Sequence, residues 1–119
     1  MTPYEHAKSS AEAFGGIADN YVDIHNWFDE TKQFTGDWTH RAVRHHAVGV
    51  EMAVAIHGDY IMNSDGDKVP VKMVAELHIV EDCGFIPTIQ DWLRPLKSFP
   101  EDWMLRVKKK SVKPMEVSS

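Results

Sequence analysis

Seven histidines in 119 residues are the feature of this sequence most able to do chemistry, because neutral imidazole binds Zn, Fe, Ni and Cu. Three predicted helices each place one histidine on an apolar face, namely His25, His46 and His78. Asp82 follows His78 at i+4 and adds a carboxylate to the same face. Because helical bundles build metal sites from the inward side chains of facing helices, these four residues predict a Zn or Fe site.

The remaining histidines are weaker candidates for the same metal. His6, His40 and His45 could join the site, whereas His57 is explained by a favourable charge interaction at the end of its helix. In a hydrolytic site, metal-bound water is the nucleophile, and His45 or Glu81 is the candidate general base. The alternative is that core histidines only form hydrogen bonds. The sequence contains no H-E-x-x-H or paired C-x-x-C motif that would decide between the two.

A basic group on the third predicted helix favours a different function. Arg41 and Arg44 project from neighbouring parts of that helix, with His45 nearby, and Lys72 follows later in the chain. Guanidinium groups match phosphate and carboxylate in bidentate contacts, so this group would bind a small anionic ligand such as a nucleotide. The second hypothesis is therefore a non-enzymatic protein that captures a phosphorylated small molecule, with its contact residues at a homodimer interface. A third is a structural interaction protein, and the sequence leaves open whether the chain is an enzyme.

The hydrophobic and turn patterns predict a mainly α (α+β) fold, a single-domain bundle of four to five helices with one small β-hairpin. The predicted helices cover residues 3–14, 19–32, 37–57, 70–83 and 88–92, and the hairpin pairs residues 59–62 with residues 68–69. A capping box, Thr2 with Glu5, marks the first helix start. On the third helix, His46 falls within the apolar stripe and His45 on its flank.

Composition and charge exclude several classes of protein. Hydrophobic residues make up 43% and charged residues 26%, which is typical of a folded domain, and the longest apolar runs are far short of a membrane span. With one cysteine and no stretch that resembles a secretion signal, we expect a cytoplasmic protein. We predict a His-rich helical domain over residues 1–105 and a basic, flexible tail over 106–119. The acidic charge of the domain argues against binding to duplex nucleic acid.

Several short segments together resemble a small uncharacterised family associated with bacteria and their phages. The segments are His25-Asn-Trp-Phe-Asp29, His40-Arg-Ala-Val-Arg-His-His46, Asn63-Ser-Asp-Gly66, Val69-Pro-Val71, Glu76-Leu-His78 with Glu81-Asp82, and Pro87-Thr88 with Asp91-Trp92-Leu93. The resemblance covers approximately residues 6–104. The histidines that it implies belong to the family pattern are His6, His25, His40, His45, His46 and His78. It places His57 outside that pattern and implies no activity, so the reaction stays open.

Overall fold

The computed structural model describes residues 1–95 and 100–106. The helices are α1 (Pro3–Phe14), α2 (Val22–Asp29), α3 (Lys32–Thr35), α4 (His40–Arg44), α5 (Ala47–His57), α6 (Val71–Cys83) and α7 (Ile89–Leu93). Strands β1 (Tyr60–Met62) and β2 (Lys68–Pro70) form an antiparallel hairpin, and Ala18–Asn20 and Asp102–Leu105 form 3-10 helices. The predicted fold class, mainly α with one small β-hairpin, is confirmed. The predicted tail lies, apart from Arg106, outside the described residues.

The first helix begins where the sequence predicts, because side chains satisfy its free backbone groups. The Thr2 hydroxyl accepts a hydrogen bond from the Glu5 N–H at 3.2 Å, and the Glu5 carboxylate accepts one from the Thr2 N–H at 2.7 Å. Pro3 occupies the first helical turn, where no N–H donor is needed, and Gly15 ends the helix with a φ of 89°. This start places His6, which is fully buried, on the inward face of α1.

The second helix is shorter than predicted. The segment over residues 19–32, predicted as one helix, folds as a 3-10 helix, then α2, then a turn into the single-turn α3. No side chain caps the start of α2. The helix forms nevertheless because it buries an apolar face that includes Ile24 and Phe28. His25 lies on α2 between these two residues and is fully buried with them.

The third predicted helix is the main error in the predicted fold. Residues 37–57 contain two helices, α4 and α5, separated by His45 and by an extended His46 with φ −160° and ψ 175°. The chain folds back so tightly that a Cβ on Gly49 would lie 1.7 Å from the Arg44 carbonyl oxygen. One continuous helix would direct His46 inward and His45 to its flank, so the break reverses the predicted directions of these two side chains.

Helix α7 and the residues just before it hold this break in place. The Pro87 carbonyl accepts a hydrogen bond from the Ala47 N–H at 2.8 Å, at the start of α5. The Trp92 indole donates a hydrogen bond to the His45 carbonyl, also at 2.8 Å. The backbone on both sides of the break is therefore bound to one neighbouring segment, which fixes the direction of the His45 side chain.

The hairpin and α6 follow the prediction. The Asn63 side-chain oxygen closes the turn by accepting hydrogen bonds from the N–H groups of Asp65 and Asp67, both at 3.0 Å. The Asn63 amide also donates to the Phe14 carbonyl at 3.2 Å, which ties the hairpin to the end of α1. Strand β2 runs directly into α6 through Pro70, so the hairpin sets the position of that helix.

The apolar core lies between α1, α2, α5 and α6. Its buried members are Ala7, Tyr21, Ile24, Trp27, Phe28, Val50, Ala53, Val69, Val71, Val74, Ala75 and Ile79. Full burial of one large apolar side chain contributes about 1.5–3 kcal/mol, so this cluster is the main source of stability. The Phe28 ring stacks on the His78 ring, with centroids 4.9 Å apart, where the core meets buried histidines. None of the helices within the described ranges is long and apolar enough to cross a membrane.

Candidate metal centre

Six ionisable side chains carried by four helices meet beside the core. They are His6 of α1, Asp29 of α2, His40 of α4, His45 directly after α4, and His78 and Asp82 of α6. We call these six residues the donor cluster. Its four histidines are all buried, and each presents the same ring atom, Nε2, to a carboxylate oxygen of an aspartate.

Four atoms of the donor cluster lie as close together as ligands of one metal ion. The Nε2 atoms of His45 and His78 are 3.1 Å apart. Asp82 Oδ2 lies 3.0 Å and 3.3 Å from these two nitrogens, and Asp29 Oδ1 lies 3.4 Å and 3.3 Å from them. Ligands bound at about 2.0–2.1 Å to a tetrahedral ion are about 3.3 Å apart. These five distances therefore match those between directly coordinating ligands.

A chain of hydrogen bonds behind His78 can fix the tautomer of its ring. His78 Nδ1 is 2.8 Å from His25 Nδ1, and His25 Nε2 is 2.7 Å from Ser10 Oγ. When His78 Nδ1–H donates to His25 and His25 Nε2–H donates to Ser10, the Nε2 lone pair of His78 faces the aspartates. Burial, together with the neighbouring His78 and His6 rings, lowers the pKa of His25 to about 3. The sequence predicted His25 as a ligand, and His25 does lie with His6 and His78 in a group of ring nitrogens close enough to hold a metal ion. In the hydrogen-bonded arrangement described here it orients His78.

His6 is oriented by Glu81, as metal-binding histidines commonly are by carboxylates. Its Nδ1 is 2.8 Å from Glu81 Oε1, and the other Glu81 oxygen accepts a hydrogen bond from Ser9. His6 Nε2 lies 3.1 Å from Asp82 Oδ1, outside hydrogen-bond geometry. Burial lowers the pKa of His6, but Asp82 and Glu81 outweigh burial and raise that pKa overall. Glu81, predicted as a general base, is thus bound to His6 and Ser9 at the side of the cluster.

His40 and His45 complete the set of inward Nε2 atoms. The His40 Nδ1–H donates a hydrogen bond to the Asp37 carbonyl at 2.8 Å, and its Nε2 lies 3.3 Å from Asp29 Oδ1. The His45 ring packs edge-on against the Phe28 ring, with centroids 5.6 Å apart. Anchoring of Nδ1 in His40 leaves the Nε2 lone pair directed at Asp29, as a metal ligand requires.

The two aspartates are the negative centre of the cluster. The side chains of Asp29 and Asp82 are 14% and 4% exposed. Burial raises the pKa of each carboxyl group, but the rings of His45 and His78 beside both carboxylates, and of His6 beside Asp82, outweigh it and hold both pKa values well below the usual range. Burial likewise lowers the pKa of His45, whereas the two aspartates raise it overall. An enclosed pair of carboxylates of this kind needs positive charge, from protons on the rings or from a cation.

His46, predicted as an inward ligand, caps α5 instead. Its Nδ1 accepts a hydrogen bond from the Gly49 N–H at 3.1 Å, and its Nε2–H donates one to the Val43 carbonyl at 2.9 Å. Burial lowers the pKa of His46, which favours the neutral ring that this pair of hydrogen bonds requires. Both ring nitrogens are therefore engaged away from the donor cluster.

We expect His46→Ala to lower the free energy of unfolding by about 1 kcal/mol, because the helix loses its cap. His46→Asn keeps a side-chain oxygen at the cap and should retain most of that stability. Neither change should alter the metal content, since the ring does not face the donor cluster. Urea denaturation and metal analysis of both variants check this, and a folded His46→Asn protein that had lost its metal would contradict it.

The three predicted anion-binding residues do not share one site. Arg44 donates to Glu30 at 2.5 Å and to the Trp27 carbonyl at 2.6 Å, and its guanidinium lies 4.3 Å from the centre of the Trp27 ring. Lys72 is exposed near the start of α6, about 9 Å along that helix from His78 and about 15 Å from Asp82. Arg41 is the one of the three that lines clefts beside the donor cluster.

Asp29 is the main site residue that the sequence analysis missed. It follows His25 at i+4, as Asp82 follows His78, so an H-x-x-x-D pattern occurs on both α2 and α6. Residues at i and i+4 share a helix face, and this repeated pattern could have identified Asp29. Ser10, which contacts His25, carries no comparable signal in the sequence.

Two clefts, each of about 320 Å³, adjoin the donor cluster. The entrance cleft lies beside the start of α1 and is lined by Asp29, His40, Arg41 and Asp82 among others. The aromatic cleft is lined by Trp38, Phe85, Pro87 and Trp92, again with Arg41 and Asp82. Because both clefts share Arg41 and Asp82, a small molecule in either cleft would contact the edge of the cluster.

The fold and the site together define a small helical domain with a buried histidine–aspartate cluster. A family model described as a domain of unknown function (DUF6915) matches residues 1–104, and the chain belongs to this family. No curated protein and no solved structure matches the chain. The match confirms the resemblance to an uncharacterised family, and all six residues of the donor cluster lie within the matched range.

Proposed function

We propose that the chain binds a Zn or Fe ion at His45, His78, Asp29 and Asp82 and uses that ion for hydrolysis. The observation that carries the proposal is the spacing of the four ligand atoms. Five distances among them fall between 3.0 and 3.4 Å. Imidazole and carboxylate are ligands that suit both ions.

Hydrogen bonding alone accounts poorly for this arrangement. If Nε2 of His45 and Nε2 of His78 both carry hydrogens, two N–H groups converge across 3.1 Å. If only one does, the lone pair of the other nitrogen faces carboxylate lone pairs. A cation removes this conflict, because all four atoms can then donate electron pairs to it. The buried Nε2 of His6, which lacks a hydrogen-bond partner among the described residues, supports the same conclusion.

The cluster contains enough ligands for a second ion. Asp82 Oδ2 faces His45 and His78, while Asp82 Oδ1 faces His6. Asp29 Oδ1 faces His40 as well as the two central histidines. Pairs of metal ions catalyse hydrolysis in phosphatases and nucleases. His6 and His40 are therefore the proposed ligands of a second ion, or complete the coordination of the first.

The residues in and around the cluster have different roles in the proposed hydrolysis. A bound metal ion lowers the pKa of a coordinated water molecule enough to provide hydroxide near neutral pH. His45, which the sequence suggested as a general base, is assigned as a ligand because its Nε2 lies among the four closest atoms. Glu81 holds His6 in position. The entrance cleft, lined by Asp29 and Asp82, gives a substrate access to the site.

Metal analysis of untagged protein tests the binding step. We expect about one or two Zn or Fe ions per chain, in line with one-metal and two-metal hydrolytic sites. A chelator should remove the ions and lower the Tm, because a ligand bound only by the native state stabilises it. Substoichiometric metal, in protein whose Tm does not change with chelator, would overturn the proposal.

Chromogenic esters test the hydrolytic step. Metal-loaded protein is assayed with 4-nitrophenyl acetate and 4-nitrophenyl phosphate, before and after chelation. Turnover that is lost on chelation and restored by Zn²⁺ or Fe²⁺ supports metal-dependent hydrolysis. Fully loaded protein that turns over neither ester counts against hydrolysis and leaves metal binding alone.

A further inference from the structure

The aromatic cleft combines flat apolar walls with a cation at the edge of the donor cluster. Its aromatic walls are Trp38, Phe85 and Trp92. The Trp38 and Phe85 residues are 62% and 56% exposed, so their ring faces are open to a ligand. Clefts of about 300 Å³ or more, mostly apolar with a few polar groups, are typical binding sites for small organic molecules.

Arg41 is a cation of this cleft with unused hydrogen-bonding capacity. Within residues 1–95 and 100–106, no carboxylate oxygen lies within 4.0 Å of its guanidinium nitrogens. Its Nε is buried and has no hydrogen-bond partner there. Arg44, one helical turn further on, is by contrast paired with Glu30. Arg41 therefore keeps donors that match an anion in bidentate geometry.

The two acidic residues of the aromatic cleft, Asp82 and Asp91, have other partners and do not neutralise Arg41. The Asp91 carboxylate accepts a hydrogen bond from the Thr88 N–H at 2.9 Å and so caps α7. Asp82 belongs to the donor cluster and would repel an anion in the absence of a metal ion. Binding of an anion beside Arg41 is therefore coupled to occupation of the metal site.

We infer that the substrate is a phosphate ester of an alcohol that carries a flat aromatic group, an inference that rests on the proposed metal-dependent hydrolysis. The phosphate would lie between the metal site and Arg41, with the aromatic group against Trp38. A carboxylic ester or amide is neutral at the scissile bond and does not need a guanidinium beside the metal. A phosphate ester is itself an anion, and arginine with metal ions is a common clamp for a transferring phosphoryl group.

The reaction is the hydrolysis of a phosphate monoester. The oxygen of a water molecule bonds to phosphorus, and the bond between phosphorus and the ester oxygen breaks. One proton of the water passes to the released ester oxygen, so the products are inorganic phosphate and an alcohol that carries the aromatic group. Arg41 stabilises the charge on the phosphoryl oxygens during this exchange.

Two phosphate esters that differ in one aromatic group test the inference. Phosphate release from adenosine 5′-monophosphate and from ribose 5-phosphate is measured on metal-loaded protein whose metal content is determined in the same samples. We expect kcat/KM for adenosine 5′-monophosphate to be higher by about tenfold or more, as base–aromatic stacking allows. Trp38→Ala should abolish this difference. Arg41→Ala should lower kcat/KM for both esters by on the order of 100-fold, whereas the remote Lys72→Ala should change neither.

The outcomes separate this inference from the proposed function. Metal-dependent turnover of 4-nitrophenyl acetate, with no release of phosphate from either sugar phosphate, overturns the inference and leaves the metal-dependent hydrolase. Equal kcat/KM for the two sugar phosphates, or an Arg41→Ala protein with wild-type values, also overturns it. Metal-free protein that binds adenosine 5′-monophosphate as tightly as metal-loaded protein, as measured by calorimetry, overturns the placement of the phosphate between the metal site and Arg41.

Discussion

Loss of His45 is expected to remove the bound metal. His45→Ala should weaken Zn²⁺ affinity by on the order of 100-fold or more, because even a residue that only orients a ligand contributes about 10- to 100-fold. Asp82→Asn should have a similar effect without a change in side-chain shape, because it removes a negative charge that lies 3.0 Å from His45 Nε2. Calorimetric titration of metal-free protein with Zn²⁺, in competition with a chelator, measures both affinities.

His57 provides the matched control for this prediction. It lies at the end of α5 and packs edge-on against Trp27, with ring centroids 6.3 Å apart, away from the donor cluster. His57→Ala should therefore bind Zn²⁺ as tightly as the wild type. An equal loss of affinity in His57→Ala, or unchanged affinity in a folded His45→Ala protein, would show that the ion binds elsewhere.

Gly49→Ala is expected to destabilise the fold strongly although it adds only one methyl group. The new Cβ would lie 1.7 Å from the Arg44 carbonyl oxygen, a backbone atom, so α4 would have to move away from α5. Overpacking usually costs about 1–3 kcal/mol, and this contact is severe enough that we expect about 3 kcal/mol or more. Because His45 directly follows Arg44, the Zn²⁺ affinity should fall as well. Urea denaturation and calorimetry measure the two effects.

Gly36→Ala is the control for the added methyl group. Gly36 ends α3 with a φ of 75°, and a Cβ there would meet nothing within 4 Å. The cost should be about 1–2 kcal/mol, from the left-handed backbone alone, with no effect on Zn²⁺ binding. If the Gly49→Ala protein proved no less stable than the Gly36→Ala protein, that result would contradict the close approach of α4 to α5 at Gly49.

Local sequence signals were sufficient where each element is determined by its own residues. The capping box of Thr2 with Glu5 gave the start of α1, and Pro70 followed later by Gly84 gave the bounds of α6. The cluster of turn residues that begins at Asn63 gave the hairpin. At the start of α1 and in the hairpin turn, the hydrogen bonds that define the boundary join residues only a few positions apart, so they can be recognised without the rest of the fold. At α6 the signals are Pro70 at the N-cap and the left-handed Gly84 after its last residue.

The break between α4 and α5 could not be predicted in the same way. It depends on the unusual use of an imidazole, His46, as a helix cap, and on hydrogen bonds from Ala47 to Pro87 and from Trp92 to His45. These last two contacts join residues that are 40 or more positions apart in the chain. Helical periodicity alone therefore placed His46 inward, whereas the folded chain directs His45 to the donor cluster.

The donor cluster joins parts of the chain that are distant in sequence. His78 is 33 residues from His45 and 49 residues from Asp29. A bound ion would thus act as a cross-link that restricts the unfolded chain, in a sequence whose single cysteine cannot form an internal disulfide. Depletion of the ion would favour global unfolding and proteolytic breakdown, so the abundance of the protein in the cell would follow the supply of metal.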